Sequence, residues 1–157
     1  AAGWADEVRL ASGLLADANA RVVATLLDNG AAFVAIDEAA LAGARVHVPL
    51  PAFFTAGQVA HALYAAGVDT VIAAPALAAQ WPDLAWRTTQ VAQETVCLAP
   101  FEAAVRPLPP GTVKVTFTSG TTGQPKGVCL GAAALDAVAQ GLVQTLGPLG
   151  IERHLSV

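Results

Sequence analysis

A short polar segment carries residue types that suit a bound polyphosphate. Residues 116–127 read Thr-Phe-Thr-Ser-Gly-Thr-Thr-Gly-Gln-Pro-Lys-Gly, with five hydroxyl side chains in the first seven positions and Lys126 near the end. Glycines let backbone N–H groups approach an anion, and hydroxyls donate hydrogen bonds without adding charge. A single ammonium group supplies a positive charge for a phosphate. The segment therefore predicts a phosphate-binding loop.

Two common nucleotide-binding motifs are not met by this segment. The Walker pattern places Gly-Lys after a glycine and four further residues, but Pro125 stands at the position of that second glycine when Gly120 is the first. The dinucleotide pattern G-x-G-x-x-G is also missing from the sequence. The loop therefore differs from those of P-loop NTPases and Rossmann dehydrogenases, and an ordinary Ser/Thr/Gly hairpin loop remains the bland alternative.

Alternating strands and helices precede the loop. Hydrophobic periodicity, turn residues and caps predict helices over 4–18 and 31–42, a helix from the capping-box pair Thr55 and Gln58 to Gly67, and strands over 21–28, 45–50 and 69–74. The strands are apolar on both faces and the connections are short. This pattern predicts an α/β fold, with a predominantly parallel sheet flanked by helices on both faces.

The second half of the chain is less regular in sequence. Residues 76–112 are interpreted as an irregular, proline-rich segment with a weak strand signal at 95–99. Strands over 114–118 and 127–130 flank the polar loop, and a helix over 132–146 follows. The apolar run that begins at His154 is interpreted as a strand cut at its first residues, and the sequence holds no methionine. We therefore expect an incomplete part of a larger domain.

Composition narrows the classes of partner. The 8 Lys and Arg residues against 12 Asp and Glu give a net charge of −4 without a basic stripe, so no nucleic-acid partner is expected. No run approaches the roughly 18 apolar residues of a membrane span. Cys97 and Cys129 are expected to be reduced and buried, which favours a cytoplasmic location. Only 13% of the residues are charged, against about 25% in typical domains, so part of the surface is expected to be covered or to self-associate.

The run from Thr118 to Gly127 closely resembles the phosphate-loop signature of the adenylate-forming (AMP-binding) enzymes. These include the acyl-CoA synthetases, the adenylation domains of non-ribosomal peptide synthetases and the luciferases. The segment Leu-Ala-Gly-Ala-Arg-Val-His-Val-Pro-Leu at 41–50 resembles a second element of the same family. The resemblance covers roughly residues 20–157. It implies that residues 1–157 are part of the large N-terminal AMP-binding domain, without the small C-terminal domain.

The resemblance implies a two-step ligase reaction. A carboxylate attacks the α-phosphate of Mg-ATP to give an acyl-adenylate and pyrophosphate, and a thiol, expected to be coenzyme A, then takes the acyl group. The expected partners are a carboxylic acid, such as a fatty acid, and the remainder of the polypeptide, which would hold the Mg²⁺ ligand. No catalytic residue or metal ligand is assigned here, and the chain alone is expected to be inactive. The ATP β- and γ-phosphates would be held by Thr118, Ser119, Gly120, Thr121, Thr122, Gly123 and Lys126.

Two alternatives remain open at this point. One is an adenylation domain of the non-ribosomal peptide synthetase type, and the other is a non-catalytic nucleotide- or phosphate-binding α/β module. The second alternative is supported by Gly131-Ala132, because many relatives carry Ser-His there. The three histidines are interpreted as structural (His47, His61 and His154), and Asp37 and Glu38 as a solvent-facing surface of their helix.

Overall fold

A seven-stranded mixed sheet forms the centre of the fold. The computed structural model describes residues 3–118 and 124–150. Within them, the strands are β1 (Val22–Leu26), β2 (Val46–Pro49), β3 (Thr70–Ala73), β4 (Arg87–Val91), β5 (Glu94–Pro100), β6 (Thr112–Thr118) and β7 (Lys126–Gly131). The helices are α1 (Trp4–Asp17), α2 (Ala31–Ala42), α3 (Ala56–Ala66), α4 (Pro75–Ala78) and α5 (Ala132–Leu146). The strand order is β4-β5-β3-β1-β2-β6-β7.

The four central strands are parallel. β1 pairs with β2 on one side and β3 on the other, so that Val23 lies opposite both His47 and Thr70. β6 joins β2 in parallel at the pair His47 and Lys114. The chain crosses from β1 to β2 through α2 and returns past β1 to β3 through α3. Because parallel crossovers are right-handed, opposite directions of travel place the two helices on opposite faces. The predicted sheet with helices on both faces is therefore confirmed.

Each face of the sheet has its own hydrophobic core. Successive residues of β1 alternate between the two cores, with Val23 in one and Ala24 in the other. The core that contains Val23 also holds Leu15 of α1 and Ile36 of α2. The opposite core holds Leu63 of α3 together with buried residues of β2, β3 and β6. Burial on both faces explains the near-continuous apolar runs of the central strands.

Helix α3 has the ends that its sequence predicts. The Gln58 backbone N–H donates to Thr55 Oγ1 at 3.3 Å, and the Thr55 N–H donates to Gln58 Oε1 at 2.9 Å. Gly67 ends the helix in the left-handed region at φ 65°. A Cβ at Gly67 would also lie 2.9 Å from the backbone nitrogen of Arg106. Glycine is therefore required at this position for both conformation and space.

The interpretation of residues 76–112 as irregular is wrong for residues 87–94, whereas the weak strand signal at 95–99 falls within β5. β4 and β5 form an antiparallel hairpin there, and β5 extends the sheet beyond β3 through pairs such as Val71 with Ala99. Its turn residues Ala92 and Gln93 have φ values of 47° and 67°, but they are not the Asn, Asp or Gly that commonly mark such turns. The usual sequence signal of the hairpin is therefore missing.

Helix α5 has the predicted bounds but little cover. None of its described residues is buried, and several large apolar side chains on and after it are exposed: Val138, Leu142, Val143, Leu146 and Leu149. A surface of this kind accounts for part of the low charged fraction of the chain. Within residues 3–118 and 124–150, no helix combines the length and apolar character needed to cross a membrane.

Candidate functional site

The β6–β7 hairpin carries the two ends of the predicted phosphate loop. Thr118 is the last residue of β6, Lys126 is the first of β7, and the two are direct cross-strand partners. Both residues are exposed. Directly opposed residues of an antiparallel pair project from the same face of a sheet, so the Thr118 hydroxyl and the Lys126 ammonium stand on one side of the hairpin. The other predicted phosphate contacts fall outside the described residues: Ser119, Gly120, Thr121, Thr122 and Gly123.

Alternation along β6 fixes the direction of the Thr118 side chain. Val115 and Phe117 are buried on the α3 side of the sheet, so Thr116 and Thr118 lie on the α2 side. Phe117 is paired with Gly127 of β7. A Cβ at Gly127 would lie 3.1 Å from the Phe117 ring and 3.2 Å from Val115. Gly127 thus lets the ring lie against the base of the hairpin.

The C-terminal arm of the loop touches helix α3. His61 Nε2 lies 3.1 Å from the carbonyl oxygen of Pro125, and Pro125 itself is buried. Because a carbonyl oxygen can only accept, the ring nitrogen is the donor. Pro125, which immediately precedes Lys126, is therefore held by a helix that packs on the sheet.

A cleft opens at the carboxyl ends of β1, β2 and β6. It has a volume of about 450 Å³, and its lining includes Asp28, Asn29, Phe33, Phe53 and Thr116. Ligands of open α/β sheets bind outside the carboxyl ends of the strands, so this cleft and Thr118, the last residue of β6, lie at the expected edge. The cleft was not predicted from the sequence. The signal that could have located it is the position of residues 27–29 and 50–53, which directly follow β1 and β2.

A chain of four polar side chains lies between the sheet and α2. The Lys114 ammonium donates to Asp37 Oδ2 at 2.8 Å, and His47 Nδ1 lies 2.5 Å from Asp37 Oδ1. His47 Nε2 lies 2.8 Å from Thr25 Oγ1. Since the carboxylate accepts, Nδ1 is the donor to Asp37, and Nε2 pairs with the Thr25 hydroxyl on the other side of the ring. The chain links β1, β2, β6 and α2.

This arrangement corrects the interpretation of Asp37 as solvent-facing. Burial alone would raise the pKa of Asp37, but the hydrogen bonds and positive charges of His47 and Lys114 outweigh it and hold that pKa below its ordinary value. The Thr25-His47-Asp37 order resembles a nucleophile–base–acid triad. Thr25 is nevertheless fully buried, so its hydroxyl cannot meet a substrate. The four hydrogen-bonded side chains instead hold the strands together.

The two cysteines differ in exposure. Cys97 is buried in β5, whereas Cys129 of β7 is exposed, and both are free thiols. The expectation that both are buried is therefore wrong for Cys129. The physical reason is position, because β7 is the end strand of the described sheet.

Among the described residues, no cluster of His, Cys, Asp or Glu could hold a metal ion. The polar groups at the base of the loop are instead neutral or cationic, which suits phosphate oxygens rather than a metal ion.

Comparison with known proteins places the fold in a family. Residues 4–151 match the family model described as AMP-binding enzyme, and the chain therefore belongs to the AMP-binding enzyme family. The predicted resemblance is confirmed. No curated protein matches the chain by sequence comparison.

Solved structures with the same fold include three proteins that are described by an enzyme activity or by a bound nucleotide. The amide bond synthetase McbA from Marinactinospora thermotolerans is 28% identical, with a TM-score of 0.67 over 87% of this chain and 31% of its own. The O-succinylbenzoate coenzyme A synthetase MenE from Bacillus subtilis, in complex with AMP, is 22% identical, with a TM-score of 0.67 over 94% and 39%. ATP-bound MatB from Rhodopseudomonas palustris is 18% identical, with a TM-score of 0.62 over 88% and 30%. The chain thus spans less than half the length of these structures.

Proposed function

We propose that the chain is the N-terminal portion of an ATP-dependent, carboxylate-activating ligase and that residues 118–127 bind the β- and γ-phosphates of ATP. The observation that carries this proposal is the β6–β7 hairpin, which brings Thr118 and Lys126 together at the two ends of the family's signature loop. The match to the AMP-binding enzyme family supports the nucleotide, and the AMP and ATP complexes of MenE and MatB share the fold.

The proposed chemistry is acyl-adenylate formation. A carboxylate oxygen bonds to the α-phosphorus of ATP as the bond from that phosphorus to the bridging oxygen breaks, and pyrophosphate leaves with the electron pair. Negative charge grows on the departing group during this step. The Lys126 ammonium and the loop hydroxyls would stabilise that charge and hold the phosphates in line. The role of the loop is therefore positioning and electrostatic stabilisation.

The acceptor for the acyl group is proposed to be a thiol, with coenzyme A as the first candidate. The coenzyme A synthetase named among the structural relatives shares the fold and supports this choice. A second candidate is an amine acceptor, which gives an amide from the same acyl-adenylate. It is favoured by the 28% identity to the amide bond synthetase.

The test is pyrophosphate exchange into ATP by the complete polypeptide that contains this chain. Exchange should depend on an added carboxylic acid, and a panel of aliphatic and aromatic acids would identify the substrate class. Product analysis with coenzyme A and with simple amines would then separate the two acceptors. Binding of ATP without acid-dependent exchange by any acid in the panel would favour a non-catalytic nucleotide-binding module and overturn the proposal.

A further inference from the structure

His61 connects helix α3 to the phosphate-loop hairpin, the β6–β7 hairpin that carries the two ends of the predicted phosphate loop. The residue lies on α3, which is anchored in the core by Val59, Ala62, Leu63 and Ala66. Its ring is partly buried, and its Nε2 donates to the Pro125 carbonyl at 3.1 Å. The contact spans 64 residues of sequence, so it fixes the hairpin relative to a distant element.

The strand ladder cannot hold Pro125 in place by itself. Among the described residues, Thr118 with Lys126 is the last pair of β6 and β7, and Pro125 lies one residue beyond it. Proline has no backbone N–H to donate, so this residue can be held only through its carbonyl or its ring. Buried carbonyl oxygens are almost always paired with a donor. The His61 ring provides that donor from the face opposite the loop's Thr118 side chain.

We propose that His61 is a positioning residue for phosphate binding. By fixing the Pro125 carbonyl, it fixes the backbone from which Lys126 projects, so the ammonium is ordered before the phosphates arrive. Ordering a binding segment in advance removes part of the entropy lost on binding. This inference rests on the proposed function of the 118–127 loop, and it assigns a role in ligand binding to a histidine outside the signature.

The experiment compares two variants of closely matched size in the complete polypeptide that contains this chain. His61→Gln keeps a side-chain N–H donor at this position, whereas His61→Leu keeps the bulk and removes the donor. His61→Ala is a second donor-free variant that favours the helix. Tyr64→Phe is the control, because Tyr64 lies on the same helix and packs on Phe101 rather than on the hairpin.

The measured quantity is the Kd for inorganic tripolyphosphate, obtained by titration calorimetry on variants with equal melting temperatures. We expect His61→Leu and His61→Ala to weaken binding by roughly five- to tenfold, in line with the loss of one hydrogen bond. His61→Gln should retain an affinity within about twofold of the wild-type value, and Tyr64→Phe should leave the affinity unchanged.

Two failures have different meanings. Wild-type affinity in both donor-free variants would overturn the role of His61 and leave the proposed function of the loop intact. Failure of His61→Gln to restore binding, while Tyr64→Phe binds normally, would also count against the hydrogen bond as the cause. Absence of tripolyphosphate binding by the complete wild-type polypeptide would overturn the proposed function of the loop, and the inference with it.

Discussion

Thr118 and Lys126 face each other as the last pair of the β6–β7 ladder. Seven residues, 119–125, separate them in the sequence, yet the ladder brings a hydroxyl and an ammonium to the same side of the hairpin. The two residues therefore form the base of the predicted phosphate loop. This pairing places the two ends of the predicted loop on paired strands.

Replacing the Lys126 ammonium should weaken phosphate binding. In the complete enzyme we expect Lys126→Ala to slow adenylate formation by a factor equivalent to about 1.5–3 kcal/mol, the worth of a hydrogen bond to a charged group. Single-turnover adenylation with saturating acid is the measurement. Lys126→Arg retains the charge but changes its geometry, so it should lose less. Unchanged adenylation in the alanine variant would contradict the assigned role.

Gly127 should not tolerate a side chain. A Cβ there would lie 3.1 Å from the ring of Phe117, and that ring is buried in the core. Overpacking of this kind costs about 1–3 kcal/mol, so Gly127→Ala should lower the free energy of unfolding in urea by about 1 kcal/mol or more.

Gly13→Ala is the matched control for this substitution. Gly13 lies within α1 and has no heavy atom within 4 Å of a built Cβ. Alanine in a helix interior is favoured over glycine by about 0.5–1 kcal/mol, so this variant should be stabilised. Stabilisation by Gly127→Ala as well would show that the Phe117 ring moves aside without cost.

Stability should fall in acid partly through Asp37. Its pKa is held below the ordinary value in the folded chain, with burial opposed by hydrogen bonds and charges from His47 and Lys114. A carboxyl of this kind adds stability above its unfolded pKa, near 3.9, and loses that contribution as the pH falls through the lower folded pKa. Urea unfolding from pH 7 down to about 3 measures this loss.

Asp37→Asn supplies the comparison for this titration. At pH 7 the variant should be less stable by about 1–3 kcal/mol, because His47 and Lys114 lose their charged acceptor. The difference in the free energy of unfolding between the wild-type protein and Asp37→Asn should narrow as the pH drops below the unfolded pKa of the Asp37 carboxyl. A constant difference across that range would mean that ionisation of Asp37 does not stabilise the fold.

The two thiols should react at different rates. A thiol reagent such as dithionitrobenzoate should modify Cys129 of the native chain rapidly and Cys97 only after unfolding, because Cys129 is exposed and Cys97 buried. The folded Cys129→Ser variant should then show no fast phase of thiol modification, whereas the folded Cys97→Ser variant should keep that phase. A fast phase of thiol modification that remains in Cys129→Ser would contradict the assignment of Cys129 as exposed and Cys97 as buried.

Local signals account for the parts of the fold that could be predicted. α2 and α5 have the predicted bounds of 31–42 and 132–146, since their ends are marked by glycines next to them in sequence. The capping pair Thr55 and Gln58 lies three residues apart and is formed as expected. Each of these features depends on neighbours along the chain, which the sequence displays directly.

The parts that could not be predicted depend on distant partners. Asp37 meets Lys114 across 77 residues, through a sheet register that no local pattern encodes. The β4–β5 hairpin turns at Ala92 and Gln93, where left-handed backbone is imposed by strand pairing rather than by residue type. In the candidate site, the signature predicts a phosphate loop, which stays a prediction, whereas the contact of His61 with Pro125 depends on how α3 packs against the hairpin.

The parallel pairing of β2 with β6 also has a consequence for the order of folding. The unit from β1 to β3 closes through two short crossovers, but β6 reaches β2 only when Lys114 finds His47 across the intervening chain. Pairings between distant segments form slowly because loop closure costs entropy first. We therefore expect amide protection to appear in Val23 and Ala24 before Val115, which pulsed hydrogen exchange would measure. The phosphate-loop hairpin would then dock on a sheet that is already assembled, so mutations in it should accelerate unfolding more than they slow folding.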